Sequence, residues 1–127
     1  MTISSASQDS NPHREELIWS RSEKTVARTA FDAALGRELH EVIHKTKQMA
    51  NAIQQSADLW DLEQYLTQRR KEIDRKYEYR YSQLTQVFGR LLNEKRISEQ
   101  ELGGLREDKM KPIRSFAKFL AETDAGA

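Results

Sequence analysis

The chain has 127 residues, 37% of them hydrophobic and 32% charged, with only 5 Gly and 2 Pro, which suits one small domain and excludes a multidomain enzyme. Lys and Arg number 21 against 20 Asp and Glu, a formal charge of +1, so no long-range field selects nucleic acid or an anionic membrane. The absence of Cys excludes disulfides, thiol nucleophiles and thiolate metal sites. No apolar run approaches the roughly 18 residues of a membrane span, so the expectation is a cytoplasmic protein with no membrane insertion.

Both prolines, Pro12 and Pro112, lie near the ends, and Glu, Lys, Arg, Gln, Leu and Ala dominate between them, which predicts an all-α fold. Residues 1–14 carry Ser4, Ser5, Ser7, Ser10 and Pro12 without an apolar period and read as a disordered arm. Residues 15–122 form a single helical domain and 123–127 a tail. Ala27, Phe31, Leu35, Val42, Met49 and Ile53 fall on one stripe, predicting a helix from about Ser20 to Ile53. Gly36 interrupts it at a cost of about 1 kcal/mol, which points to a bend, the close approach of a partner helix, or a boundary. The stripe lapses over 54–57, and Asp58 is placed to cap the next helix.

That second helix is predicted from Leu59 to about Asn93, carrying Leu62, Leu66, Ile73, Tyr77, Tyr81, Leu84, Phe88 and Leu91 at intervals of three, four and seven. At about 1.5 Å per residue it would be about 52 Å long, and needs a long antiparallel partner, which the first helix supplies. Two helices leave one side of each uncovered, so a homodimer is expected, with Leu59, Leu66, Ile73, Tyr77 and Leu84 at its interface. Ser98 to Glu101 form a capping box for a short helix over 98–102, stopped by Gly103-Gly104. A last helix starts at Asp108, has Pro112 in its first turn, buries Ile113, Phe116, Phe119 and Leu120, and frays from Glu122. These pieces make a small C-terminal helical head.

Three features bear on chemistry. His40-Glu41-Val42-Ile43-His44 reads as H-E-x-x-H, with Glu63 further on as a third zinc ligand; against a zinc hydrolase stand the lack of any strand to present substrate and the simpler reading of two solvent-facing histidines. His13 has no nucleophile or carboxylate set around it, so no catalytic residues are assigned. The basic run from Arg69 to Lys76, with Tyr77, Tyr79 and Tyr81, resembles a phosphate-binding stretch, but Arg70 with Asp74 and Glu72 with Lys76 are i,i+4 pairs, so a self-paired face and no nucleic acid are expected. Trp60 is either a core plug or a binding anchor, and composition favours the core.

Taken together, Asp58-Leu59-Trp60-Asp61-Leu62, Tyr65-Leu66, Arg70, Glu72-Ile73-Asp74, Lys76-Tyr77 and Arg80 resemble the central signature of the cyanobacterial fluorescence recovery protein family. A weaker likeness runs from about residue 22 to 120, through Arg37-Glu38-Leu39 and Val87-Phe88. The resemblance implies an all-α dimer that makes no chemical bond, needs no cofactor or metal, and binds the photoactivated orange carotenoid protein at its C-terminal domain. It implies faster return of that protein to its orange form and its release from the phycobilisome, and so a cytoplasmic regulator associated with the thylakoid or phycobilisome through its partner. Carried over by position, the partner-binding residues are Trp60 and Arg70, with Glu63 and Gln64 standing where the best-studied members have His and Asp, and Phe88, Phe116 and Lys118 in the head. The alternative is a related stress or signalling adaptor whose partner is not a carotenoid protein.

Overall fold

The computed structural model describes residues 17–126, so the predicted arm over 1–14 lies outside the described residues. Ser20 opens the first helix: its Oγ accepts from the Glu23 backbone N at 3.2 Å while Glu23 Oε1 accepts from the Ser20 N at 3.0 Å, a reciprocal cap that satisfies two otherwise orphaned donors. Helix α1 runs over Arg21–Asn51, close to the predicted span. It passes through Gly36 without ending, and the space where a Cβ would sit is open, so no close approach among the described residues requires that glycine. Asp58 Oδ2 then accepts from the Gln54 and Gln55 backbone N at 3.0 and 3.3 Å, tying down the start of α2, Ser56–Lys76.

The second predicted helix does not continue to Asn93. Helix α2 stops at Lys76, residues 77–83 are non-helical, and α3 begins afresh as Leu84–Asn93. The reason lies in Tyr77-Glu78-Tyr79-Arg80-Tyr81, whose aromatic residues alternate with period two. A helix would turn Tyr79 about 200° away from Tyr77, whereas an extended backbone delivers both to one side. Their rings meet Phe31 edge-on at centroid distances of 5.4 and 4.9 Å, the arrangement that aromatic quadrupoles favour. Tyr81 follows, 5.7 Å from Trp19.

This break redirects the chain, so that α3, a 3-10 turn at Gln100–Leu102 and α4, Glu107–Gly126, close a head against the first half of α1. Phe31, Leu84, Phe88, Leu91, Leu102 and Ile113 belong to its core, so the head draws on the N-terminal half of α1 as well as on the C-terminal segments. Gly89 lets α3 and α4 touch, since a Cβ there would lie 2.9 Å from Phe116 Cβ. Pro112 is the sixth residue of α4, in its second turn rather than its first, and α4 continues past Glu122 to Gly126.

Away from the head, the second half of α1 and all of α2 form an antiparallel hairpin in which α2 has no buried residue. Leu39, Ile43, Leu59 and Leu66 are exposed along it. Among the described residues the elements are helical, with no β-strand, and no helix is long and apolar enough to cross a membrane.

Candidate partner-binding surface

Helix α2 sorts its residues by angle. Leu62, Tyr65, Arg69, Ile73 and Lys76 are partly buried, whereas Trp60, Glu63, Gln64, Thr67, Arg70 and Asp74 are exposed on the opposite side. The sequence-predicted residues Trp60, Glu63, Gln64 and Arg70 therefore share one outward face. Trp60, which composition placed in the core, is 59% exposed; an indole left in water on a rigid helix is a ready anchor for a partner. The Arg70 side chain is 85% exposed and 3.9 Å from Asp74, a loose surface pair that contributes little and leaves the guanidinium available. Trp60 and Arg70 stand about 15 Å apart along the axis and about 80° apart around it, so they bound an extended surface and do not form one tight clamp.

The predicted head contacts divide. Lys118 is exposed and Phe116 is partly buried, stacked at 6.2 Å on Phe119, which is exposed and which sequence reasoning had placed in the buried stripe. Phe88 is wholly enclosed by the head and has no surface to offer a partner. Leu84, read as a dimer contact, is likewise wholly enclosed within its own chain, because the break at residues 77–83 carries it into the head. Leu59 and Leu66 remain exposed on the hairpin. Ile73 and Tyr77 are partly buried, and the Tyr77 hydroxyl is turned inward, donating to Glu38 Oε1 at 2.8 Å.

Glu38, at the joint between hairpin and head, enters the sequence reading only as part of the family likeness and is given no role there. It is fully buried, and its carboxylate meets Arg69 at 2.8 Å, Lys76 at 2.9 Å and Arg96 at 3.1 Å as well as Tyr77. The signal was a carboxylate at i+4 from Ala34 and i−4 from Val42, inside an apolar stripe. Burial pushes its pKa up, but the hydrogen bonds from Lys76 and Tyr77 outweigh this and hold it below the usual carboxylate range. Burial and the adjacent Glu38 carboxylate push the Tyr77 hydroxyl well above its ordinary value. A second buried pair, Glu23 with Lys109 at 3.0 Å, joins the starts of α1 and α4, and Arg106 N donates to Glu23 Oε2 at 2.8 Å. Desolvation opposes ionisation there, yet the Ser20 and Arg106 N–H groups and Lys109 lower the Glu23 pKa to about 2.

The zinc constellation does not assemble. His40 and His44 are exposed, Glu41 is taken by Arg96 at 2.8 Å, and Glu63 stands on the outward face of α2. Among the described residues no three His, Cys, Asp or Glu side chains are grouped to hold a metal. In the basic run Arg69 pairs with Glu72 at 2.7 Å. The predicted Glu72–Lys76 pair is replaced by Lys76 with Glu38 and with Glu94, the latter at 2.7 Å.

Comparison with known proteins decides the family. The model described as photoprotection regulator fluorescence recovery protein matches residues 19–117. The chain belongs to the fluorescence recovery protein family. The fluorescence recovery protein of Synechocystis sp. is 37% identical over 104 residues, covering 82% of this chain and 95% of the relative. The structure of the Fremyella diplosiphon fluorescence recovery protein matches with a TM-score of 0.76 at 38% identity, over 80% of this chain and 99% of that one. The Synechocystis structure matches with a TM-score of 0.76 at 37% identity over the same shares. The family is one of photoprotection regulators and not of enzymes, so the zinc-hydrolase reading is set aside.

Proposed function

We propose that this chain is a non-enzymatic regulator that binds the photoactivated orange carotenoid protein at its C-terminal domain, accelerates reversion from red to orange, and helps release it from the phycobilisome. The observation that carries the reading is the outward face of α2, where a solvent-exposed Trp60 and a loosely held Arg70 stand on the helix that bears the family signature. Such a regulator acts by population shift: it binds the state on the way back to orange more tightly than the separated red state, and the equilibrium moves by that differential affinity alone. The exposed apolar residues of the hairpin, Leu59 and Leu66 with Leu39 and Ile43, support a homodimer built there, with Ile73 and Tyr77 at its margin. The working form is then a dimer in the cytoplasm, brought to the phycobilisome by its partner and using no cofactor.

The test is the dark recovery of photoactivated orange carotenoid protein, followed by absorbance with and without this chain. Acceleration at substoichiometric amounts is expected. Trp60→Leu and Arg70→Leu are expected to slow it while circular dichroism and dimer mass stay unchanged, and full activity in both variants would overturn the site. Glu63 and Gln64 favour a second reading, an adaptor for a partner other than a carotenoid protein, and a folded dimer without effect on recovery would select it.

A further inference from the structure

Where the end of α2 faces α3 and α4 lies a cleft of about 490 Å³, within the range of ligand-sized sites. Its walls carry more cations than carboxylates, and the carboxylates are already engaged: Glu72 by Arg69 at 2.7 Å, Glu78 by Arg80 at 2.5 Å, and Glu94 by Lys76 and Arg96 at 2.7 and 2.8 Å. Two guanidiniums on the same walls, Arg75 from the last turn of α2 and Arg90 from α3, have no carboxylate partner among the described residues. Arg90 is instead held with its Cζ 5.9 Å from the Phe116 ring centroid, which fixes a charged fork beside an aromatic face at little cost in side-chain freedom.

We propose that this cleft takes an acidic peptide segment of the partner protein, with carboxylates on Arg75 and Arg90 and an apolar side chain against Phe116. Arg forks match carboxylates in bidentate geometry, and a guanidinium beside an aromatic ring is the composition of an interface hot spot. The shape favours a peptide over an inorganic anion. The cleft is open, its unpaired donors come from exposed side chains of separate helices, Gln83 and Gln86 on the same wall offer amides to a peptide backbone, and Phe116 has nothing to add to a phosphate. The proposal rests on the function above only for the identity of the protein that supplies the segment.

The experiment uses the full chain and a fluorescein-labelled peptide of glutamate and leucine, followed by anisotropy at low ionic strength. Wild type is expected to bind, the double variant Arg75→Gln with Arg90→Gln to bind about tenfold or more weakly, and Lys47→Gln, at an exposed cation of α1 outside the cleft, to bind within about twofold of wild type. Both substituted arginines are exposed, and a circular dichroism spectrum checks that the variant folds. Equal binding by all three proteins, no binding by wild type, or displacement by inorganic phosphate beyond that of chloride at matched ionic strength overturns the proposal. In the recovery assay the double variant is expected to need about tenfold more protein for half-maximal acceleration, with an unchanged limiting rate. If the peptide result holds and wild type does not act on the carotenoid protein at all, the cleft stands and the identity of the partner falls. If wild type acts and the double variant acts equally well, the proposal is overturned.

Discussion

The head and the hairpin are built from the same kind of helix and solve different problems. In the head, side chains from α1, α3 and α4 and from the Tyr77–Tyr81 segment enclose Phe31, Leu84, Phe88 and Ile113, so its stability comes from packed apolar area. In the hairpin, two antiparallel helices leave Leu39, Ile43, Leu59, Trp60 and Leu66 in water, an apolar surface with no partner among the described residues. The same apolar residue types therefore mean stability at one end and an uncovered surface, which we propose serves recognition, at the other. Between them stands Glu38, a buried carboxylate whose neighbours come from both regions.

Removing an enclosed ring should separate the two regions most clearly. Phe88→Ala is expected to lower stability by about 3–5 kcal/mol, read by denaturant unfolding, with the loss concentrated in head amides in hydrogen exchange. An unchanged midpoint would show that the head is not a packed unit. Glu38→Ala leaves Arg69, Lys76, Arg96 and Tyr77 without their shared acceptor and is expected to cost about 3 kcal/mol or more, with faster exchange on both sides of the joint.

Acid should act on the same polar links. Glu23 has a pKa lowered from 4.5 to about 2 and that of Glu38 is also lowered. A depressed carboxylate contributes stability that is complete above the unfolded pKa and is lost as pH falls toward the folded one. The melting temperature of the head should therefore hold above about pH 5 and fall steeply toward pH 2, and Glu23→Gln should flatten that fall. A melting temperature that holds down to pH 2 would remove both carboxylates from the account.

Smaller effects sharpen the contrast. Gly89→Ala forces a Cβ against Phe116 and is expected to cost about 1–3 kcal/mol, visible as a lower melting temperature with the hairpin's helicity retained. Leu66→Ala is expected to change the unfolding of the separated chain by about 0.5 kcal/mol or less while weakening self-association in light scattering. The reverse result, lost stability with full association, would place Leu66 in a core and not on a contact surface.

Much of this was legible in the sequence because it depends on local rules. The proline-free, Glu/Lys/Leu-rich middle dictates helix, Gln54 to Asp58 dictates a reversal, and the Ser98-to-Glu101 box appears with Ser98 N donating to Glu101 Oε1 at 2.9 Å. The signature around Trp60 and Arg70 carried the family. The break after Lys76 was masked, because Tyr77, Tyr81, Leu84 and Phe88 also satisfy a helical spacing. Only Phe31, 46 residues or more away along the chain, makes the period-two alternation of the tyrosines the favourable choice.

Tertiary structure alone decided which apolar residues are covered. Leu84 and Leu66 occupy equivalent places in one sequence pattern, yet one is sealed in the head and the other faces water, since burial depends on what the chain brings across after residues 77–83. The charges divide in the same way: Arg69 and Arg70 are neighbours in sequence, but helical rotation aims the first at Glu38 at 2.8 Å and the second at solvent. Sequence by itself determined the all-helical class, the reversal before α2 and the family, because backbone propensity, caps and an ordered motif act over short range. The joint at Glu38, the cleft beside Arg90 and the division between core and exposed apolar surface arise from long-range packing, which no local pattern encodes.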